Sequence, residues 1–314
     1  MENNQFIKLG SSELLVSSIG IGAMTWGDNK SVSWYNPARL AYGLSDTKEN
    51  LGKAIEVSIR NNVNFIDTAA MYGSGVSEKY VGELTADKRM IIATKFPSSF
   101  LPWKADLTKD LNNSLNRLGG KIDLYQVHYP FKWISIPKVM NQMADAYVEG
   151  KIKAIGVSNF SADQMRLAHE VLKSRGLSLS SNQVQYSLLH RDPENNGILS
   201  ACKELGITLI AYMPLAMGAL TGKYNSKNRP TGFRRLTPIF NRKGMLRIET
   251  IIPILSQIAG RYGKTPSQVA LRWLIEQGNV LPIPGAKRAS QALENAGALT
   301  FSLSPDEVEQ LNKL

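Results

Sequence analysis

The sequence predicts an α/β chain folded as one (β/α)8 barrel of the TIM class, with an N-terminal β-hairpin at the barrel bottom. Three observations predict it. Short apolar runs alternate with stretches of helical period along the whole chain. Eight such runs can be counted, and most are continuous rather than alternating, as parallel strands covered on both faces require. No break in composition divides the 314 residues, so one unit spanning 1–314 is expected. An open doubly wound sheet shares the alternation and is the competing architecture.

The elements follow in order. Residues 6–9 and 14–17 flank Gly10-Ser11-Ser12-Glu13, a turn composition, and form the hairpin. Barrel strands are expected at 19–23, 64–67, 90–95, 122–128, 152–158, 182–186, 208–213 and 280–284. Asp46, with Glu49 three residues later, marks a helix start, and Leu51, Ile55 and Ile59 share one face of that helix. Leu107, Leu111, Leu115 and Leu118 form a second apolar stripe, stopped at Gly119; Ser161 starts a third helix that ends near Gly176.

Composition narrows the function. No apolar run approaches the ~18 residues that span a bilayer, and Met1 to Leu9 does not read as a signal peptide. A cytoplasmic location is expected, or a plastid stroma if a transit peptide had been removed. The lone Cys202 excludes an internal disulfide framework and a multi-cysteine metal site, and no metal is expected; it reads as a buried structural thiol. The net charge of +11 invites nucleic acid as a partner. Part of the excess lies in one acid-free stretch holding Lys227, Arg229, Arg234, Arg235, Arg242, Lys243 and Arg247, without the interleaved aromatic platform of a nucleic-acid module. It reads either as a solvated loop or as one that meets an anionic cofactor.

The loops after the strands carry more information than the strands. Trp26, Trp34, Tyr35 and Tyr42 follow the first, Phe96, Phe100 and Trp103 the third, and Tyr129, Phe131 and Trp133 the fourth. In a βα barrel these loops all open on the C-terminal face, where active sites lie, so the clusters predict an apolar pocket there.

Gly20-Ile21-Gly22-Ala23-Met24-Thr25 begins like a dinucleotide-binding fingerprint, but no third small residue and no immediate helix follow, so it is rejected as such a site. A better constellation is Asp67 ending the second strand, Tyr72 in the loop beyond, Lys95 ending the third and His128 ending the fourth. A carbonyl that accepts a hydride needs a proton on its oxygen. A phenol of ordinary pKa near 10 is protonated at neutral pH but a poor acid, and an adjacent ammonium would stabilise its phenolate. Asp67 would hold Lys95 charged, and His128 would orient the substrate oxygen.

These residues carry a resemblance. Phe65-Ile66-Asp67-Thr68-Ala69-Ala70-Met71-Tyr72-Gly73 with Ser77-Glu78, Ile91-Ile92-Ala93-Thr94-Lys95, and Asp123-Leu124-Tyr125-Gln126-Val127-His128 resemble the motifs of the aldo-keto reductases, in its bacterial and plant branch. Gly150-Lys151-Ile152, Ile155-Gly156-Val157-Ser158-Asn159-Phe160, Asn182-Gln183-Val184-Gln185-Tyr186, Ala211-Tyr212-Met213-Pro214-Leu215-Ala216 and Ile283-Pro284-Gly285-Ala286-Lys287 extend it over nearly the whole chain. The resemblance implies NADP(H) as cofactor and Asp67, Tyr72, Lys95 and His128 as the catalytic tetrad. It implies that Ser158, Asn159 and Gln183 grip the nicotinamide carboxamide and that Tyr212 stacks beneath its ring. Met213, Pro214, Leu215, Ala216 and Lys223 would lie near the pyrophosphate, with Arg234 also placed toward the cofactor. Gly285, Lys287, Gln291, Glu294 and Asn295 would meet the adenosine end, where Lys287 and neighbouring Arg288 favour a 2′-phosphate. Met24, Thr25 and Trp26 would sit where cofactor and substrate meet, and Trp26, Tyr72, Phe96, His128 and Tyr129 would border the substrate.

The activity so implied is NADPH-dependent reduction of aldehydes or small ketones to alcohols, the proton coming from Tyr72. The only partner expected is that small carbonyl substrate, with neither nucleic acid nor membrane insertion. An NADPH-binding regulatory subunit on the same fold is the alternative, and Schiff-base chemistry at Lys95 a third reading.

Overall fold

The computed structural model describes residues 5–27, 47–97 and 106–314. Two strands, β1 (Phe6–Lys8) and β2 (Leu15–Ser17), pair antiparallel as the expected hairpin. Eight parallel strands follow in one sheet in chain order: β3 (Gly20–Gly22), β4 (Phe65–Asp67), β5 (Ile91–Phe96), β6 (Leu124–Val127), β7 (Ala154–Ser158), β8 (Leu179–Gln185), β9 (Thr208–Tyr212) and β10 (Val280–Pro282). The sheet closes on itself: the Gly22 N–H donates to the Pro284 carbonyl at 3.0 Å, and Gly22 bridges Gly285 in parallel. The result is the (β/α)8 barrel, and the open doubly wound sheet falls away.

Closure depends on close backbone approach. A Cβ at Gly22 would lie 2.8 Å from the Ile283 carbonyl oxygen, so the two edges meet only because this position has no side chain. That is what the glycines of the false fingerprint do.

Helices cover the outside: α1 (Lys48–Arg60), α2 (Val76–Thr85), α3 (Leu107–Arg117), α4 (Ile136–Val148), α5 (Ala162–Lys173), α6 (Asp192–Asn195), α7 (Ile198–Glu204), α8 (Arg242–Tyr262), α9 (Pro266–Glu276), α10 (Ala289–Ala296) and α11 (Pro305–Asn312). Ser161 caps α5 in a reciprocal box with Gln164, as expected. The start of α1 is one residue later than expected. Thr47 is its N-cap, accepting from the Asn50 N–H, and Asp46 lies outside the described residues. Its inner face also differs: Leu51, Ala54, Ile55 and Ser58 are buried, while Ile59 is exposed. A helix turns 100° per residue, so Ser58 falls on the Leu51–Ala54 line and hides its hydroxyl by donating to the Ala54 carbonyl. Cys202 is buried in α7, and burial pushes its thiol up to about 12.

Inside the barrel the side chains form layers. Phe65, Ala93, Leu124, Ala154, Ile210 and Leu281 pack with Leu9 and Val16 of the hairpin, an entirely apolar plug at the N-terminal end. The hairpin turn is fastened there by the Gly10 N–H on the Thr208 hydroxyl at 2.8 Å. Two residues further along β4, β5 and β6, on the same face, the layer becomes polar with Asp67, Lys95 and Gln126, and β7 offers Gly156 beside them. No helix among the described residues is long and apolar enough to cross a membrane.

Candidate active site

Asp67, Lys95 and His128 come from the C-terminal ends of three neighbouring strands, and Tyr72 from the turn after β4. That turn, Tyr72–Gly75, is tight because Gly73, Ser74 and Gly75 all take positive φ, which reverses the chain directly into α2. Ser77 in α2 then holds the segment down: its hydroxyl donates to the Ala23 carbonyl and pairs with Thr68, both at 2.8 Å.

Lys95 is the centre. Fully buried, it places Nζ 2.6 Å from Asp67 Oδ2, 2.8 Å from the Thr68 carbonyl and 3.4 Å from the Tyr72 hydroxyl. Desolvation lowers the lysine, and the Asp67 carboxylate opposes it. The Tyr72 and His128 rings meet edge to face at 6.0 Å. His128 is held neutral, lowered to about 3 by burial first and by the Lys95 charge second. Its Nδ1 is buried and has no hydrogen-bond partner. The four sequence-predicted tetrad residues are therefore brought together.

One electrostatic expectation is corrected. Burial, followed by the Asp67 charge, raises Tyr72 well above the usual phenol range, and this outweighs the nearby ammonium in the resting site.

Around this core lies a ring of amides. Ser158 donates to the Gln183 carbonyl at 2.8 Å, and the Asn159 side-chain amide donates to the Ser158 hydroxyl and the His128 carbonyl. Tyr212, only partly buried, donates its hydroxyl to Asn159 Oδ1 at 3.0 Å. Gln183 is turned inward, its amide nitrogen 2.8 Å from Asp67 Oδ1. Asn159, Met213, Ala216 and Met217, none of them glycine, hold the left-handed backbone that glycine favours, at or just beyond the strand ends.

Other expected residues are placed differently. Trp26 is fully buried with its indole N–H on the Ala286 carbonyl at 3.0 Å. Phe96 is buried against Phe131, ring centroids 5.2 Å apart. Both therefore stand within the wall of the site. Tyr129, stacked on His128 at 4.9 Å, is the exposed one. Met24 and Thr25 lie partly buried in the turn after β3. Trp34, Tyr35, Tyr42, Phe100 and Trp103 fall outside the described residues.

Pro214 and Ala216 are buried behind the turn after β9, Leu215 is half-buried, and Lys223 is exposed. Arg234 lies over the Tyr224 ring at 5.7 Å and donates to the Met217 carbonyl. Near α10, Gln291 accepts from the Lys287 backbone N–H, Glu294 from the Thr265 hydroxyl, and Asn295 donates to the Gly285 carbonyl. Gln291 and Asn295 thereby organise the segment Gly285 to Lys287 beside the closed edge of the barrel, while Glu294 ties α10 to the start of α9.

Sequence reasoning assigned no role to Gln126, buried in β6 with its amide nitrogen 3.2 Å from Asp67 Oδ1. A polar residue inside an otherwise apolar strand was the available signal. Nor did it place Glu78, buried, which accepts from Thr94 beside Lys95 and from Arg117, both at 2.6 Å, tying α2 to β5 and α3.

Comparison with known proteins agrees with this geometry. The model of the Aldo/keto reductase family matches residues 18–314. A chloroplastic pyridoxal reductase of Arabidopsis thaliana is 36% identical, the match covering 98% of this chain and 85% of that one. The Schizosaccharomyces pombe aldo-keto reductase yakc [NADP(+)] is 35% identical over 79% of this chain and 77% of its own. Among solved structures, a glycerol dehydrogenase of Gluconobacter oxydans superposes with TM-score 0.84 at 26% identity, covering 100% of this chain and 95% of that chain. An aldo/keto reductase from Klebsiella pneumoniae in complex with NADP and acetate gives 0.72 at 26%, covering 98% and 94%. With the tetrad assembled at the rim of the barrel and the family model running through to its last residue, this chain belongs to the aldo/keto reductase family.

Proposed function

We propose that this chain is an NADPH-dependent reductase of aldehydes or small ketones in which Tyr72 delivers the proton. The observation that carries the reading is the Lys95 ammonium standing between the Asp67 carboxylate and the Tyr72 hydroxyl at the C-terminal rim.

The residues present fit a dinucleotide. His128 Nδ1 is a buried polar atom left for a ligand to meet, and Tyr212 keeps part of its ring uncovered at the end of β9. Beyond it Ala216, Met217 and Gly218 take left-handed backbone in succession, a tight turn in which the Met213 and Leu215 carbonyls accept from the Ala216 and Gly218 N–H groups. The acid-free basic stretch follows at once. Ser158, Asn159 and Gln183 would hold the carboxamide, Tyr212 the ring face, the 213–218 turn with Lys223 and Arg234 the pyrophosphate, and Lys287 with Arg288 the 2′-phosphate. The cofactor names of the S. pombe and K. pneumoniae proteins support the same choice. When bound, the reduced nicotinamide supplies the hydride.

The protein's own part is positioning and proton supply. His128, neutral, offers a hydrogen bond to the substrate oxygen and fixes its direction. Tyr72 stays protonated until charge develops on that oxygen, because burial disfavours its phenolate. As the proton leaves, Lys95 at 3.4 Å neutralises the phenolate, and Asp67 keeps Lys95 in place. Tyr129 forms an exposed wall beside the reacting oxygen.

The test is a panel of activated aldehydes and small ketones with NADPH deuterated at the transferred position. One NADPH consumed per alcohol formed, with deuterium on the former carbonyl carbon, is expected. No consumption above the protein-free rate for any member overturns the reading.

A further inference from the structure

One buried polar side chain of the barrel interior has no part in the proton path. Gln126 is register-paired with Lys95 on one side and Gly156 on the other. Its amide nitrogen donates to Asp67 Oδ1 at 3.2 Å, beside the Gln183 amide at 2.8 Å, while Lys95 holds Oδ2 at 2.6 Å. Its carbonyl oxygen accepts from Ser181 in β8 and from Gln183, both at 3.5 Å. To reach β8 the side chain passes over β7, and it does so at Gly156. A Cβ there would lie 2.8 Å from Gln126 Cγ and 2.3 Å from Ser181 Oγ. The glycine clears the path that the glutamine takes.

We infer that Gln126 is a positioning residue for the Asp67–Lys95 pair, fixing one carboxylate oxygen so that the other stays aimed at the lysine, with Gly156 as the space that permits it. The inference rests on the reductase reading above and deepens it. A buried carboxylate can offer a lysine either oxygen by turning about its last bond; two amide donors on Oδ1 remove that freedom. They also stabilise the negative charge itself, since hydrogen bonds to a charged form favour it. The groups facing this carboxylate are Lys95 from β5, Gln126 from β6, Gln183 from β8 and Tyr72 from the turn after β4. Glu78, His128 and Tyr129 lie within electrostatic reach of the lysine.

Gln126→Met keeps length and volume and deletes only the polar contacts. With one donor gone the carboxylate is free to turn, so kcat should fall about threefold or more. KM for the carbonyl should change less than about threefold, since Gln126 meets no substrate. A readout that needs no turnover runs beside it: in protein labelled with 13C at aspartate carboxyls, the Asp67 signal, assigned by its loss in Asp67→Asn, should move from its wild-type position in the variant at neutral pH. Gly156→Ala, which crowds the same side chain from the next strand, should move both readouts the same way. Gln126→Asn, which draws the amide back from Asp67, carries the test if Gln126→Met does not fold. An Asp67 carboxyl signal unmoved in a folded variant overturns the inference. Wild-type protein that consumes no NADPH overturns the reductase reading instead, and the carboxyl signal still decides the role of Gln126.

Discussion

For individual side chains in this site, desolvation outweighs neighbouring charge. Lys95 is lowered despite a carboxylate at 2.6 Å, Tyr72 is raised despite an ammonium at 3.4 Å, and His128 is lowered to about 3. The histidine has a measurable consequence for stability. An unfolded chain protonates it near 6.5, while the native protein resists until about 3, so the unfolded state binds more protons throughout that window. Its contribution is fully present above about 6.5 and is lost as pH falls toward 3. Urea midpoints should therefore drop more between pH 7 and pH 5 for wild type than for His128→Gln; equal drops would show that the imidazole is not buried neutral. At this scale the sequence was half legible. The residue types and their strand-end positions announced proton chemistry, but the sign of the tyrosine shift was not readable. It depends on how fully the fold buries the phenol.

For secondary-structure elements, the eight strands were legible because strands covered on both faces must be apolar throughout. Their ends were less so: β8 begins three residues before its expected start, at Leu179, because Ser180 and Ser181, though buried, interrupt the apolar signal. Ser161 was readable as a cap since its box partner Gln164 lies in plain sequence; the choice between Asp46 and Thr47 turned on backbone geometry that sequence does not carry. Gly22 shows how an element's role can be mistaken. Read as part of a phosphate fingerprint, it would tolerate little change for the sake of a ligand; as a closure point, it tolerates little for the sake of β10. Gly22→Ala would force its Cβ against the Ile283 carbonyl, an overpacking that should cost about 1–3 kcal/mol in denaturant unfolding without any ligand present. Unchanged stability in the apo variant would argue that the barrel edges do not meet there.

For the whole molecule, the fold places an apolar plug at one end of the barrel and a polar layer two residues higher, so that chemistry collects at the opposite rim from the hairpin. The order of strands could be read along the chain, but the convergence of Asp67, Tyr72, Lys95 and His128 needs the barrel to curve. The expected aromatic pocket is only partly represented, with Tyr129 exposed, Trp26 and Phe96 inside the wall and five further aromatics outside the described residues. The central claim is that a buried phenol, backed by a paired ammonium, protonates the carbonyl oxygen. Single-turnover reduction of an activated aldehyde by NADPH-loaded Tyr72→Phe measures this most directly, with NADPH affinity followed by tryptophan fluorescence. The expected result is a rate about 10²–10⁴-fold below wild type, the range of general acid catalysis, with affinity within about threefold. A Tyr72→Phe rate equal to that of wild type at unchanged affinity would contradict it.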